Sequence, residues 1–189
     1  MSAVKAAVDA PQEAEPALRH IVVAGGTLAE WAGLSDHQWQ QRLADLGKVA
    51  DHVGASWLTI RPYEAGQAAV AASSVLAERL DTAGGCMVLA SSTADGRARM
   101  VTALVGLQRD GAVIDETSVA ARLNAPAEAD PDLVVVLGPA HRLPPSLVWE
   151  LAYSELVFLD VAWEHLQPRH LEGAIEAYAH RHRRFGGLD

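Results

Sequence analysis

Hydrophobic residues in this chain come in short unbroken runs separated by longer amphipathic stretches. His20-Ile21-Val22-Val23-Ala24, Trp57-Leu58-Thr59-Ile60, Cys86-Met87-Val88-Leu89-Ala90 and the run from Leu133 to Leu137 are each too short for a core helix. They read as strands buried on both faces. Between them, apolar positions recur at helical spacing. Trp39, Leu43, Leu46, Val49 and Val53 share one face of a helix that Ser35 opens, with Gln38 as capping-box partner, and that Gly54 closes. Further helices are expected over the alanine-rich stretch 67–80, over 97–107 ahead of the Asp110-Gly111 turn, and over 118–123. A last one starts at Pro168, with Leu171, Ile175 and Tyr178 facing inward. Strands alternating with helices predict an α/β domain with a mostly parallel sheet flanked by helices.

Composition narrows this picture. Hydrophobic residues make up 50% of the 189, enough for one domain with a sizeable core. Residues 1–18 are rich in Ala, Glu and Pro without an apolar period, which predicts a disordered leader before a single domain over 19–189. The net charge of −9 argues against a general nucleic-acid binder, which needs a basic face. Cys86 is the lone cysteine and lies in an apolar run, so a buried thiol is expected and no internal disulfide can form. No transmembrane segment and no secretory signal are legible. The expectation is a cytoplasmic protein whose peripheral membrane contact, if it has one, comes through a partner or product.

Candidate chemistry is sparse when read from the residues alone. Gly25-Gly26-Thr27 after a strand suits a tight turn or, alternatively, an anion cradle of backbone amides; it is neither a GxGxxG fingerprint nor a P-loop. Ser91, Ser92 and Thr93 lack a nucleophile elbow. His165, His170, His180 and His182 lack the Cys or carboxylate pattern of structural zinc and read as solvated helix positions. The basic tail His180-Arg181-His182-Arg183-Arg184 reads either as a phosphate-directed arm or as cations favoured at a helix C-terminus.

Longer motifs say more. The stretch PDLVVVLGPAHRLPPSLVWELAYSEL, residues 131–156, aligns without a gap with PDLLIRTGGExRLSNFLLWQxAYSEL. Phe158, Asp160, Val161 and Trp163 follow, and then the tail Arg183-Arg184-Phe185-Gly186-Gly187. Near the start, His20 and Trp31 keep the spacing of HxxxxMDGNGRW. In these motifs the chain resembles the cis-prenyltransferase family, exemplified by undecaprenyl diphosphate synthases. The resemblance implies that family's α/β fold, with a shortened tunnel region between Arg61 and Gly85. It also implies a dimer interface that includes Trp149, Tyr153, Glu155, Phe158 and Trp163.

The same resemblance exposes departures. The family's loop Asp, which binds the magnesium-diphosphate and takes part in catalysis, corresponds to Gly26, and its phosphate-gripping Arg to Glu30. In the RxGGExRxS stretch that holds isopentenyl diphosphate, the first Arg corresponds to Val136, the Glu to Ala140 and the Ser to Pro144. Arg142 is left as a residual diphosphate contact. Glu155 matches a late Glu that helps bind magnesium across the family's dimer interface, and is expected to be structural here. A glycine gives a divalent metal no anionic oxygen ligand, and Glu in place of Arg turns a phosphate contact into repulsion.

The pattern resembles the noncatalytic, Nogo-B-receptor-like subunits of heteromeric cis-prenyltransferases. That implies a catalytic homologue as partner, isoprenoid diphosphates met through the complex, and Arg184, Phe185 and Gly186 reaching into the partner's site. It implies no catalytic residue and no cofactor in this chain, with Mg2+ in the partner. Two other readings stay open: a divergent homodimeric prenyltransferase active alone on short isoprenoid diphosphates, and a nonenzymatic isoprenoid-binding regulator.

Overall fold

A computed structural model describes residues 18–63, 76–138 and 143–185, with side chains through residue 181. Six strands form one sheet: β1 (His20–Ala24), β2 (Trp57–Arg61), β3 (Arg79–Ala83), β4 (Cys86–Ala90), β5 (Leu133–Leu137) and β6 (Glu155–Leu159). Their order across the sheet is β3-β4-β2-β1-β5-β6, and every pair is parallel except the β3–β4 hairpin. β1 sits centrally, with Ile21 in register with Leu58 on one side and Leu133 on the other. The expected α/β class with a mostly parallel, helix-flanked sheet is what the chain adopts.

Among the described residues five α-helices accompany the sheet: α1 (Leu28–Ala32), α2 (Asp36–His52), α3 (Gly96–Arg109), α4 (Glu116–Asn124) and α5 (Pro168–Phe185). The N-terminus of α2 is closed by the Ser35–Gln38 capping box, and Gly54 follows its end at φ +79°. Trp39, Leu43, Leu46 and Val49 are buried, whereas Val53 lies past the last turn and is 37% exposed, because the helical face ends before it. α2 and α5 pack on one face of the sheet, and Ile21, Val23, Leu58, Ile60, Leu171 and Ile175 meet there. On the other face Val22, Ala24, Val134 and Val136 close over Leu147. Ala103, Leu107, Val119 and Leu123 join α3 to α4. Alternate residues of β1 and β5 thus serve two cores, which explains their unbroken apolar runs. Cys86 is fully buried, and its thiol is pushed up to about 11 by burial and the nearby Asp51 charge.

Patterning misread two places. The helix expected over 67–80 does not extend to its end: Arg79 and Leu80 begin strand β3, and residues 67–75 lie outside the described residues. β3 alternates exposed and half-buried positions, and the Gly84-Gly85 turn, with Gly84 at φ +61°, folds it back on β4. β6 leaves no strand signal in the sequence; as a half-buried sheet edge it lacks the continuous apolar run of the interior strands. The leader expected over residues 1–18 lies, up to residue 17, outside the described residues; Leu18 itself is buried in the core.

Candidate functional site

In an open parallel sheet, ligands collect beyond the C-terminal ends of the strands, where chain order reverses. Here that point lies between β1 and β5, since β2 follows β1 to one side and β5 lies on the other. Gly25 and Gly26 leave β1 at this point. Gly25 N–H donates to the Arg61 carbonyl (2.9 Å), Tyr63 N–H donates to the Gly26 carbonyl (2.7 Å), and the Trp31 indole donates to the Gly25 carbonyl (3.0 Å). Gly26 has φ +75°, and a Cβ there would lie 2.6 Å from the Trp163 ring. That ring stacks on Trp31 at 5.6 Å and sits 6.0 Å from Trp39, with the Arg42 guanidinium 4.3 Å above it. Position 26 therefore takes no side chain without displacing a packed tryptophan cluster.

The neighbouring sequence-derived positions are equally committed. Thr27 caps α1: its hydroxyl accepts from Glu30 N–H (3.1 Å), while the Glu30 carboxylate accepts from Thr27 N–H (2.6 Å). Glu30 spends its charge on a helix start. Val136 is fully buried in the apolar cluster around Leu147, and Pro144 is buried with its carbonyl accepting from Leu147 N–H. Ala140 and Arg142 lie outside the described residues, as does Gly186; Arg184 and Phe185 end α5, and their side chains are not described.

Along the closing motif, Glu155 pairs with Arg181, which also donates to the Leu156 carbonyl (2.9 Å). The Trp149 indole donates to Asp130 (3.1 Å), and the exposed Tyr153 hydroxyl donates to Glu116 (2.7 Å). Phe158 is half-buried against the second core. Trp163, grouped with the interface aromatics by sequence, is 3% exposed and belongs to the interior of this chain, held by Trp31 and Trp39.

A magnesium ion does not fit these residues. Gly26 supplies no side-chain oxygen and its carbonyl already accepts from Tyr63 N–H, the Glu30 carboxylate is taken up in a cap, and that of Glu155 is paired with Arg181. Among the described residues no three His, Cys, Asp or Glu side chains gather as a metal group.

Where charge does collect is at the end of β2. Arg61, its last residue, and Arg99 of α3 converge on Glu150, which is 1% exposed. Arg99 donates to Glu150 Oε1 (2.9 Å) and to the carbonyls of Ser146 (2.9 Å) and Leu123 (3.0 Å). Arg61 Nη1 lies 3.4 Å from the same Oε1, within ion-pair reach but not aligned as a hydrogen bond. Burial by itself would raise the Glu150 carboxyl, but Arg61 and then Arg99 hold it below the usual range. Arg61 is pushed down to about 9 by burial and by Arg99, against the pull of Glu150 and Glu78. Reading the sequence missed this cluster. The available signals were an Arg ending an apolar strand and a Glu where the quoted motif carries Gln.

The fold and these positions define a protein of the cis-prenyltransferase type. A family model described as "Putative undecaprenyl diphosphate synthase" matches residues 69–186, more than half of the chain, and the chain belongs to that family. It is 41% identical over 110 residues to an isoprenyl transferase 2 of Bradyrhizobium diazoefficiens, covering 58% of this chain and 39% of that protein. It is 47% identical over 58 residues to the farnesyl-diphosphate-specific ditrans,polycis-undecaprenyl-diphosphate synthase of Escherichia coli K12, covering 31% of this chain and 23% of the relative. The chain thus matches about two fifths or less of these curated relatives' length. Among solved structures, a probable undecaprenyl diphosphate synthase from Campylobacter jejuni superposes with TM-score 0.59 at 18% identity, covering 89% of this chain and 98% of that one. Lavandulyl diphosphate synthase from Lavandula x intermedia, in complex with dimethylallyl diphosphate, gives 0.55 at 16% identity, covering 85% and 94%. These two likenesses establish the fold.

Proposed function

We propose that this chain is a noncatalytic accessory subunit of a heteromeric cis-prenyltransferase. It pairs with a catalytic homologue that makes a cis-polyprenyl diphosphate from isopentenyl and allylic diphosphates and that holds Mg2+. The observation that carries this reading is the closed position at Gly26, where the family's aspartate would need space that Trp163 fills. Glu30 in its cap and the buried Val136 support it, since neither offers a phosphate a cation. The short interval between Arg61 and Gly85, which ends in β3, supports a reduced tunnel. In this reading Arg184, Phe185 and Gly186 complete the partner's site, Arg142 keeps a residual phosphate contact, and the exposed Tyr153 with Trp149 and Phe158 lies toward the partner. Among the described residues no helix is long and apolar enough to cross a membrane.

The test is condensation of labelled isopentenyl diphosphate with farnesyl diphosphate, measured for the chain alone and for the chain co-purified with a catalytic homologue. The expected result is silence alone and turnover in the mixed complex above the partner's own rate. Arg184→Ala should then reduce that turnover sharply without preventing assembly; unchanged turnover would remove the tail mechanism. A second reading, a divergent homodimeric enzyme, is favoured by the curated relatives being named as an isoprenyl transferase and an undecaprenyl-diphosphate synthase. Magnesium-dependent turnover by the pure chain would establish it in place of the first. Isoprenoid binding with no turnover in either format would instead point to a nonenzymatic regulator.

A further inference from the structure

A cavity of about 640 Å³ opens beside the C-terminal ends of β2 and β4, between the sheet and α3 and α4. It is separate from the Gly26 and Val136 positions. Among the described residues four arginines, Arg61, Arg99, Arg109 and Arg122, line it against one acid, Glu78, in a chain whose net charge is −9. Arg109 and Arg122 both pair with Asp110, and their side chains are 79% and 39% exposed. Arg61 and Arg99 are 5% and 10% exposed and share one carboxylate, Glu150. Two buried guanidinium groups against one buried carboxylate leave positive charge in excess in the interior, and among the described residues Arg61 Nε and Nη1, like Glu150 Oε2, have no hydrogen-bond partner. Burying a cation short of acceptors is costly, and an anion reaching this place would offset that cost. Burial and Arg99 already push Arg61 down to about 9, which agrees with a shortage of negative charge.

The walls have a different character. Leu89, Leu123, Val101 and Val105 line the cavity. Val101 and Val105 stand one turn apart on α3 and are 59% and 58% exposed. A cationic floor under an apolar wall selects a ligand with a head and a body. We infer that this cavity binds a small amphiphilic anion, with a phosphate or carboxylate head at Arg61 and Arg99 and a short apolar body along Val101 and Val105. The site goes beyond the subunit reading and does not depend on it.

Calorimetric titration of the full chain tests the site, using decyl phosphate and decanoate as probes, with inorganic phosphate and decanol as controls. At least one amphiphile should bind about tenfold more tightly than either control, since a charge-assisted contact and apolar burial each contribute on that scale. Tighter decanoate assigns a carboxylate head and tighter decyl phosphate a phosphate head. Val101→Glu, on an exposed helix face, should weaken binding by about tenfold while leaving Tm in place. The pair Arg61→Met with Glu150→Gln removes one cation and the carboxylate together, and should weaken binding wherever it folds. Absence of binding by both amphiphiles, controls that bind as tightly, or undiminished binding by the Val101→Glu chain would each overturn the inference.

Discussion

The ends of β1 and β5 and the ends of β2 and β4 are neighbours on one sheet, yet they are built oppositely. At β1 and β5, the positions that the resemblance aligns with charged motif residues carry a glycine under a tryptophan ring and a valine in an apolar core. At β2, the last residue is a buried arginine that converges, with a second arginine, on a buried glutamate. Apolar packing of the first kind is self-sufficient: each residue removed from water stabilises on its own account. A buried ion network is conditional, because its desolvation is offset only while every partner is present. The first region therefore resists the return of charge, while the second resists its removal.

Removing charge from the second region gives the largest expected effect. Glu150→Ala strands Arg61 and Arg99 in the interior and should cost about 3–5 kcal/mol of stability, read from urea unfolding midpoints. A loss below about 1 kcal/mol, the scale of an exposed pair, would mean the cluster is solvated and the contrast false. Adding charge to the first region comes next. Gly26→Asp combines a ring clash with a positive φ and should destabilise by about 2–3 kcal/mol, without creating magnesium-dependent condensation. Gly26→Ala should lose a similar amount if sterics, rather than the new carboxylate, are the cause. Robust activity in the Asp variant would show that Trp163 yields and that position 26 is open.

A smaller effect sits beneath both regions. His20 is buried, its ring bonded to the Ala129 carbonyl (2.8 Å) and the Thr59 hydroxyl (2.9 Å). Burial lowers its pKa from 6.5, with Arg61 pulling the same way and Asp132 and Glu150 opposing. The unfolded chain thus takes up this proton first. The stability gained by keeping His20 neutral is complete above pH 6.5 and is lost as pH falls through the lowered folded value. The slope should approach, but not exceed, about 1.4 kcal/mol per pH unit. His20→Gln should flatten the dependence between pH 7 and pH 5; an unchanged slope would place its origin elsewhere. Smallest of all, Glu30→Arg should cost about 1 kcal/mol through the lost capping box, with no gain of turnover.

What was legible in the sequence follows from how local each feature is. β1, β2, β4 and β5 announce themselves because strands buried on both faces leave continuous apolar runs, and α2 because its cap, face and stop lie within twenty residues of one another. β3 and β6 are sheet edges, so half their surface is free of the apolar requirement and their pattern weakens. The empty positions Gly26, Glu30 and Val136 were readable against the motif. The reason Gly26 cannot simply be refilled was not, because Trp163 lies far along the chain. Likewise Arg61, Arg99 and Glu150 are unremarkable apart.

By itself, the sequence determined the α/β class, most of the sheet, the family to which the chain belongs and the residue types standing where the resembling motifs carry their charged residues. These depend on periodicity and on motifs read along the chain. Only the tertiary structure decided that Trp163 is interior, that Glu30 is held in a cap, and that two arginines and a glutamate meet beneath a cavity. Those are facts of juxtaposition between distant residues, and burial, which sets the energy of a charge, is fixed only when the distant parts of the chain come together.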